Sequence, residues 1–250
     1  MVADQNKGRI VVLGTATLSA KASMTATLST RTSLSLTHIR AAAMSARLVH
    51  RIETHPQVNE LSHGSPEFQT RIAEQRAHTV VSVIEATAFL EATINQFLAD
   101  VADGVKHYAG MNTDAHNQIT SYWNNGDNRD DILEKFQNAL NLLEKSRFDK
   151  GACPYQDTRG LVKLKNHLVH YKPIWVSGDE LHNVEELLRS KRFPLNPLVP
   201  NNNCYPERLL HHACAKWAIE TSIKFVDAFY AKIDVTPPYN NERDWLHAES

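Results

Sequence analysis

The N-terminal part of the chain alternates polar and apolar residues over an unusual length. Between Thr15 and Thr37 every odd-numbered residue is polar, and nine of the eleven even-numbered residues are apolar. A period of two is typical of a β-strand, and the many serines and threonines disfavour a helix. The segment has no glycine, proline, asparagine or aspartate for a turn, and it is several times longer than an ordinary strand of about 5–6 residues. It predicts either a β-like ribbon that pairs with a second copy or a flexible tail, and both alternatives stay open.

From His38 onward the apolar residues recur with the period of an α-helix. The clearest segment begins at Ser65-Pro66-Glu67, where the serine can cap a helix and the proline fits its first turn. Its apolar face is wide, as expected for the central helix of a bundle. Helices are predicted over residues 39–52, 66–101, 130–145, 156–171, 179–189 and 206–233, with a polar loop before residue 130. The sequence therefore predicts a mainly α bundle over residues 38–250, preceded by a Ser/Thr-rich β-like or flexible extension over residues 1–37.

Composition and charge narrow the classes of function. The 27 basic and 28 acidic residues give a formal net charge of −1, so binding of nucleic acid would need a local patch rather than bulk charge. Only nine residues are glycine, and no glycine-rich phosphate-binding motif occurs. The three cysteines form no C-x-x-C pair, which is typical of reduced thiols. Since no apolar run is long enough for a signal peptide or a membrane span, the sequence predicts a cytoplasmic protein without membrane association.

Residues 161–173 carry the densest group of chemically active side chains. At about 100° per residue, one face of this predicted helix belongs to the core. That face consists of Leu161, Leu164, Leu168 and Tyr171. On the other side Asn166 and His170 are i,i+4 neighbours, flanked by Lys163 and His167, with Lys165 at the boundary. Such a group can bind a phosphate and transfer a proton near neutral pH. The simpler alternative is a solvated helix face that ends in a histidine, which the helix dipole favours there.

The string Lys165-Asn166-His167-Leu168-Val169-His170 resembles the R-N-x-x-x-H signature of the HEPN superfamily of helical ribonucleases and nucleotide-binding modules. The likeness extends to the apolar helix at residues 88–97, to Phe148-Asp149-Lys150 and to the segment around Trp217. The resemblance implies an all-α bundle that forms a homodimer in which two such motifs face each other. Active members of the superfamily cut RNA without a metal or another cofactor, by attack of the ribose 2′-hydroxyl on the adjacent phosphate.

The resemblance assigns catalytic roles by position to Lys165, Asn166 and His170. His170 would transfer the proton, Asn166 would orient the phosphate or the histidine, and Lys165 stands where the superfamily prefers arginine. Arginine offers a planar fork to a phosphate, whereas lysine is a flexible point charge. Lys165 also lies about 140° around the helix from His170, so it reaches the site only by bending or from a partner chain. Weakened or absent catalysis is therefore an open alternative.

Glu91 and Asn95 are polar i,i+4 neighbours in an otherwise apolar helix. One interpretation is that they brace Asn166 or His170 from the neighbouring helix. The other, which we favour, is that they satisfy each other and a nearby basic side chain, as buried polar groups generally do.

A zinc site could be suspected near the last helix, where His211, His212, Cys204 and Cys214 lie close in sequence. Cys214 falls on the apolar stripe of that helix, and no second pair of ligands follows at the spacing of a zinc finger. The sequence therefore predicts no metal.

The leading hypothesis is a metal-independent endoribonuclease of a toxin–antitoxin or defence system, with RNA as substrate and an antitoxin protein as a candidate partner. The alternative is a catalytically silent helical module for dimerisation or for binding RNA or a nucleotide. A third, structural alternative makes residues 15–37 an assembly ribbon.

Overall fold

The chain divides into a first unit, residues 1–33, and a larger unit, residues 34–250. The computed structural model describes residues 31–62, 64–105, 111–125, 130–172, 184–186, 194–199 and 206–248. The alternating segment therefore lies outside the described residues as far as Thr30. Residues 35–37, which the alternation assigns to the extension, belong instead to the first helix of the bundle. Ser35 is buried there and donates its hydroxyl to Gln96 Oε1 (2.7 Å), so packing overrides the local pattern.

The larger unit consists mainly of helices. These are α1 (Ser35–Thr54), α2 (Pro66–Ala102), α3 (Thr113–Asn124), α4 (Ile132–Leu142), α5 (Tyr155–Val169) and α6 (His212–Lys232), with 3₁₀ segments at Pro56–Glu60 and Asn240–Leu246. No strand occurs in the part of the chain that the structure describes. The prediction of a mainly α protein is confirmed.

Helix α2 is the central helix and contacts each of α1, α3, α4, α5 and α6. It begins as predicted: the Ser65 hydroxyl accepts a hydrogen bond from the Phe68 N–H (3.1 Å), and Pro66 occupies the first turn. Its buried apolar side chains include Val83, Leu90, Ile94, Phe97, Leu98 and Val101. The wide apolar face that the sequence predicts is therefore present.

Aromatic side chains from three helices fill the middle of the core. Phe136 of α4 packs edge-on against Phe225 and Phe229 of α6, with ring centroids 5.0 Å apart in both contacts. Phe97 of α2 meets Phe229 in the same way at 5.2 Å. Such edge-to-face contacts match the charge distribution of aromatic rings. They fix α4 and α6 relative to α2, and α5 packs against α2 and α6.

Helix α3 is the main element that the sequence analysis misses, since it falls in the predicted polar loop. It buries only Ala115 and Ile119, so its apolar stripe is too short to stand out. Its start is fixed by Asn112, whose Oδ1 accepts a hydrogen bond from the Ala115 N–H (2.7 Å).

Two predicted helix ends also differ from the structure. Helix α6 begins at His212, six residues after the predicted start, because the His211 ring accepts the Ala213 N–H as a cap. Helix α5 ends at Val169, and His170 leaves helical geometry (φ −107°, ψ 32°). Tyr171, predicted to face the core, is consequently 45% exposed. Of the helix predicted over residues 179–189, the structure describes residues 184–186, which are helical.

By length and composition alone, an 18-residue window of helix α2 is apolar enough to cross a membrane. Half of that window is buried inside the protein. Since the other helices pack around α2, the core itself demands this apolar composition. The absence of membrane association stays a prediction.

Candidate nucleic-acid interface on helix α5

Helix α5 separates an apolar inner face from a charged outer face. Leu161 and Leu164 are fully buried in the core. Arg159, Lys163 and Asn166 are exposed on the opposite side. The spacing of the two leucines at i,i+3 fixes the rotation of the helix, and this rotation turns the charged residues outward.

Four exposed side chains form one line along α5, which we call the α5 stripe: Arg159, Lys163, Asn166 and His170. At about 100° per residue they fall within about 60° of one another. The His170 N–H still donates to the Asn166 carbonyl oxygen (2.9 Å), so His170 continues the line past the last helical residue. The stripe is about 16 Å long, from a rise of about 1.5 Å per residue.

A cleft of about 630 Å³ runs beside the stripe, between α5, the N-terminus of α4 and Glu91 of α2. We call it the α4–α5 cleft. Its basic side chains are Lys150, Arg159, Lys163 and Lys165, and its acidic side chains are Glu91, Asp130, Asp131 and Glu134. Some of these charged side chains are already paired within the protein, and only those without a partner are available to a ligand.

Several polar groups of the cleft already bond to one another or to neighbouring side chains. Lys150 Nζ lies 2.6 Å from Glu134 Oε1, and this hydrogen bond raises the pKa of Lys150. Burial, followed by the charge of Glu134, raises the pKa of Tyr155. Asp130 Oδ2 accepts hydrogen bonds from the Tyr122 hydroxyl (2.9 Å) and the Asn138 side-chain amide (2.7 Å).

Arg159, Lys163 and Lys165 differ from Lys150 because no carboxylate of the described residues pairs with them. Their charges face the solvent at the cleft and the stripe. Arginine binds phosphate oxygens through its planar fork, and lysine binds them as a point charge. Along its α5 wall the cleft therefore presents three cations of the kind that bind phosphate oxygens.

The structure brings together only some of the residues that the sequence singles out. Lys163, Lys165, Asn166 and Glu91 line the same cleft. Lys165 is half-buried and reaches the cleft without a partner chain, although it lies off the stripe.

The two histidines of the motif occupy different positions. His170 ends the stripe and is exposed, outside the lining of the cleft. His167 is half-buried, and its ring meets Tyr171 edge-on at 5.4 Å. His167 therefore packs on the last turn of α5 rather than flanking Asn166.

Glu91 and Asn95 both contact a lysine on α4. Lys135 Nζ lies 3.1 Å from Asn95 Oδ1 and 3.6 Å from Glu91 Oε1. Lys135 is only 6% exposed, so these two groups provide the polar surroundings that its buried charge requires. These contacts correspond to the interpretation in which the pair satisfies a nearby basic side chain, and Glu91 additionally faces the cleft.

The suspected zinc ligands are engaged in other ways. His211 Nε2 donates to the Pro194 carbonyl oxygen (2.8 Å), and burial lowers the pKa of His211 to about 4. Burial raises the pKa of the Cys214 thiol to about 12, and Cys204 lies outside the described residues. Among the described residues no group of three His, Cys, Asp or Glu side chains could hold a metal ion. The absence of a metal in the working protein stays a prediction.

Arg159 is the site residue that the sequence analysis misses. It stands seven residues before Asn166, which places it two helical turns away on the same face. The i, i+4, i+7 spacing of Arg159, Lys163 and Asn166 marks it in the sequence, whereas the string that resembles the HEPN signature begins only at Lys165.

Comparison of the chain with family models, with characterised proteins and with solved structures found no match.

Proposed function

We propose that this chain acts on RNA through the α5 stripe, as a metal-independent endoribonuclease. The observation that carries the proposal is the stripe itself. Two cations without carboxylate partners stand in line with a carboxamide and an exposed imidazole. Because the net charge of the chain is −1, binding depends on this local patch and not on bulk charge.

The stripe contains the side chains that cleavage by the ribose 2′-hydroxyl requires. In that reaction the 2′-oxygen bonds to phosphorus, the bond from phosphorus to the 5′-oxygen breaks, and a cyclic phosphate forms. A base removes the 2′ proton, and the 5′-oxygen leaves as a hydroxyl after it receives a proton. His170 takes up the 2′ proton and passes it to the 5′-oxygen, while Asn166 holds the phosphate, and Lys163 together with the Arg159 of a second copy offsets its charge.

The resemblance to the HEPN superfamily supports the same proposal and widens it. It adds a homodimer, a toxin–antitoxin or defence role with an antitoxin protein as partner, and a cytoplasmic location where RNA is available. Arg159 supplies the arginine that is missing at residue 165, but from two turns earlier on the helix.

The second candidate is a silent module that binds RNA without cutting it. The length of the stripe favours it, because Arg159 and His170 are about 16 Å apart along one helix. One chain therefore cannot place both residues on one phosphate, although it can contact successive phosphates of a strand.

The test is incubation of the purified chain with RNA in the presence of a chelator, followed by analysis of the RNA ends. We expect cyclic-phosphate ends, and a rate about 10²–10⁴ lower for His170→Ala, which removes the proton-transfer group. Arg159→Ala and Lys165→Ala lose phosphate binding, whereas Lys165→Arg keeps or raises the activity. His55→Ala is the matched control, since His55 is exposed and does not line the cleft.

Circular dichroism checks the folding of each variant, and we expect the helical signal to be unchanged, because none of these side chains is buried in the core. Equal activity in the parent, His170→Ala and Lys165→Ala would disprove the enzyme. RNA that is bound but not cut, with binding lost in Arg159→Ala, would establish the silent module.

A further inference from the structure

A second surface of interest lies on α1, away from the core face of that helix. Side chains of α1, three or four residues apart, form one wall of a groove, and the 3₁₀ segment Asn240–Leu246 forms the other wall. The lining residues of this α1 groove are Arg40, Met44, Arg47, Leu48, Arg51 and Trp245, around a volume of about 440 Å³. Three of them are apolar and unusually exposed: Trp245 by 67%, Met44 by 60% and Leu48 by 36%. Exposed Trp, Met and Arg in one patch are typical of the centre of a protein–protein interface.

Hydrogen bonds from an arginine side chain of α1 to backbone carbonyl groups hold the two walls of the groove in place. Arg47 Nη1 donates to the carbonyl oxygens of Trp245 (3.0 Å) and His247 (2.9 Å), which fastens the 3₁₀ segment to α1. Leu246, next to Trp245, is buried and anchors the segment in the core. The Trp245 ring therefore stays outward without a ligand, and a partner meets a preformed surface.

The charges of the groove select the chemistry of its partner. Arg40 already bonds a carboxylate, that of Glu242. The bonds of Arg47 go to neutral carbonyl groups, and Arg51 pairs with no carboxylate of the described residues. Two uncompensated arginine charges thus lie one turn apart beside the apolar floor.

We propose that the α1 groove binds an acidic amphipathic helix of another protein. The lining positions run from Arg40 to Arg51, about 16 Å along α1, which matches about three turns of a partner helix. Apolar side chains at i, i+3, i+4 and i+7 of the partner cover Met44, Leu48 and Trp245, and its carboxylates meet Arg47 and Arg51. A nucleic acid fits less well, because Trp245 is the only aromatic ring among the lining residues and successive bases need several, while Glu242 already neutralises Arg40. This surface does not depend on the function proposed for α5.

The test uses a fluorescent synthetic peptide of about 15 residues, with leucine at i, i+3, i+4 and i+7 and glutamate between them. A second peptide carries lysine in place of every glutamate. We expect the acidic peptide to bind the full chain with a Kd on the order of 10 µM, more weakly at high salt, and the basic peptide at least about tenfold more weakly. Trp245→Ala weakens binding about tenfold or more, and Arg51→Glu reverses the preference between the peptides.

Matched controls lie elsewhere on the surface. Arg71→Glu changes an exposed arginine outside the groove, and Val81→Ala removes an exposed apolar side chain of α2. Both leave binding of the acidic peptide unchanged. The proposal is overturned if the acidic peptide does not bind at about 1 mM, or if the two peptides bind equally. It is also overturned if Arg51→Glu abolishes binding of single-stranded RNA or anionic vesicles while the peptide is ignored.

Discussion

His211 links the protonation state of one side chain to the stability of the fold. The residue is 1% exposed, and its ring donates from Nε2 to the Pro194 carbonyl oxygen and accepts the Ala213 N–H at Nδ1. Nδ1 therefore carries no proton, and the Glu53 oxygen 4.0 Å away is a neighbour rather than an ion-pair partner. Burial lowers the pKa of His211 from 6.5 to about 4.

This lowered pKa gives the stability a defined pH dependence. Between pH 6.5 and about pH 4 the unfolded chain binds a proton at His211 that the folded chain does not, so stability falls as the pH falls. From pH 7 to pH 5 we expect the free energy of unfolding to drop by about 2 kcal/mol through this residue. Urea denaturation of the parent and of His211→Gln at both pH values measures it, since glutamine keeps a donor but does not titrate.

Glu53 has the opposite effect on the pH dependence of stability. Burial raises its pKa, so as the pH falls the folded chain binds a proton at Glu53 before the unfolded chain does. Since Glu53 is present in both the parent and the His211→Gln variant, its contribution to the pH dependence cancels when the two are compared. An identical pH dependence of parent and variant would contradict the role of His211.

At the residue scale, the sequence predicts where some of the candidate site residues lie but not where others lie. Helical geometry places Asn166, His170 and Lys163 together on an exposed face, because burial of Leu161 and Leu164 fixes the rotation of α5. His167 lies only one position from Asn166, and its contact with Tyr171 depends on where α5 ends. The end of a helix is set by backbone geometry that residue spacing does not encode.

At the scale of elements, predictability follows the amount of buried apolar surface. The sequence predicts helix α2 with its cap because the apolar face extends over most of the helix. It does not predict helix α3, because the position of α3 depends on a cap and two buried side chains. The loop at residues 194–199 is held by a reciprocal pair of amides, Gln75 and Asn196 (2.9 and 3.0 Å), which are 121 residues apart in the chain. No local pattern reveals such a contact.

The dependence of α3 on its cap can be measured. We expect Asn112→Ala to lower the free energy of unfolding by about 1 kcal/mol, because the Ala115 N–H loses its acceptor, and Asn112→Gly to lower it by only a few tenths. Asn117→Ala, exposed in the middle of the same helix, is the control and is neutral or slightly stabilising. Urea midpoints of the three variants provide the comparison. An unchanged midpoint for Asn112→Ala would show that packing alone holds α3.

At the scale of the whole molecule, the α5 stripe has a symmetry that suits a homodimer. Arg159 and His170 are equally far from the point between residues 164 and 165, and so are Lys163 and Asn166. If two copies of α5 pair antiparallel about this point, Arg159 faces the partner's His170 and Lys163 faces the partner's Asn166. No cation of the stripe then faces another cation. Each Arg159 lies beside the partner's His170, instead of about 16 Å from the His170 of its own chain. A parallel pairing would instead place Arg159 against the partner's Arg159.

This arrangement predicts that two inactive variants restore each other. Arg159→Ala and His170→Ala are each expected to lose RNA cleavage, because every site lacks one of its two residues. In a mixed dimer one site regains both residues and the other has neither, so equal amounts after subunit exchange recover about a quarter of the parental activity. Light scattering at micromolar concentration first establishes the dimer. The control mixes His170→Ala with the Arg159→Ala/His170→Ala double variant, in which no pairing restores a complete site. A mixture of the two single variants that stays as inactive as this control would show that the site is not shared between chains.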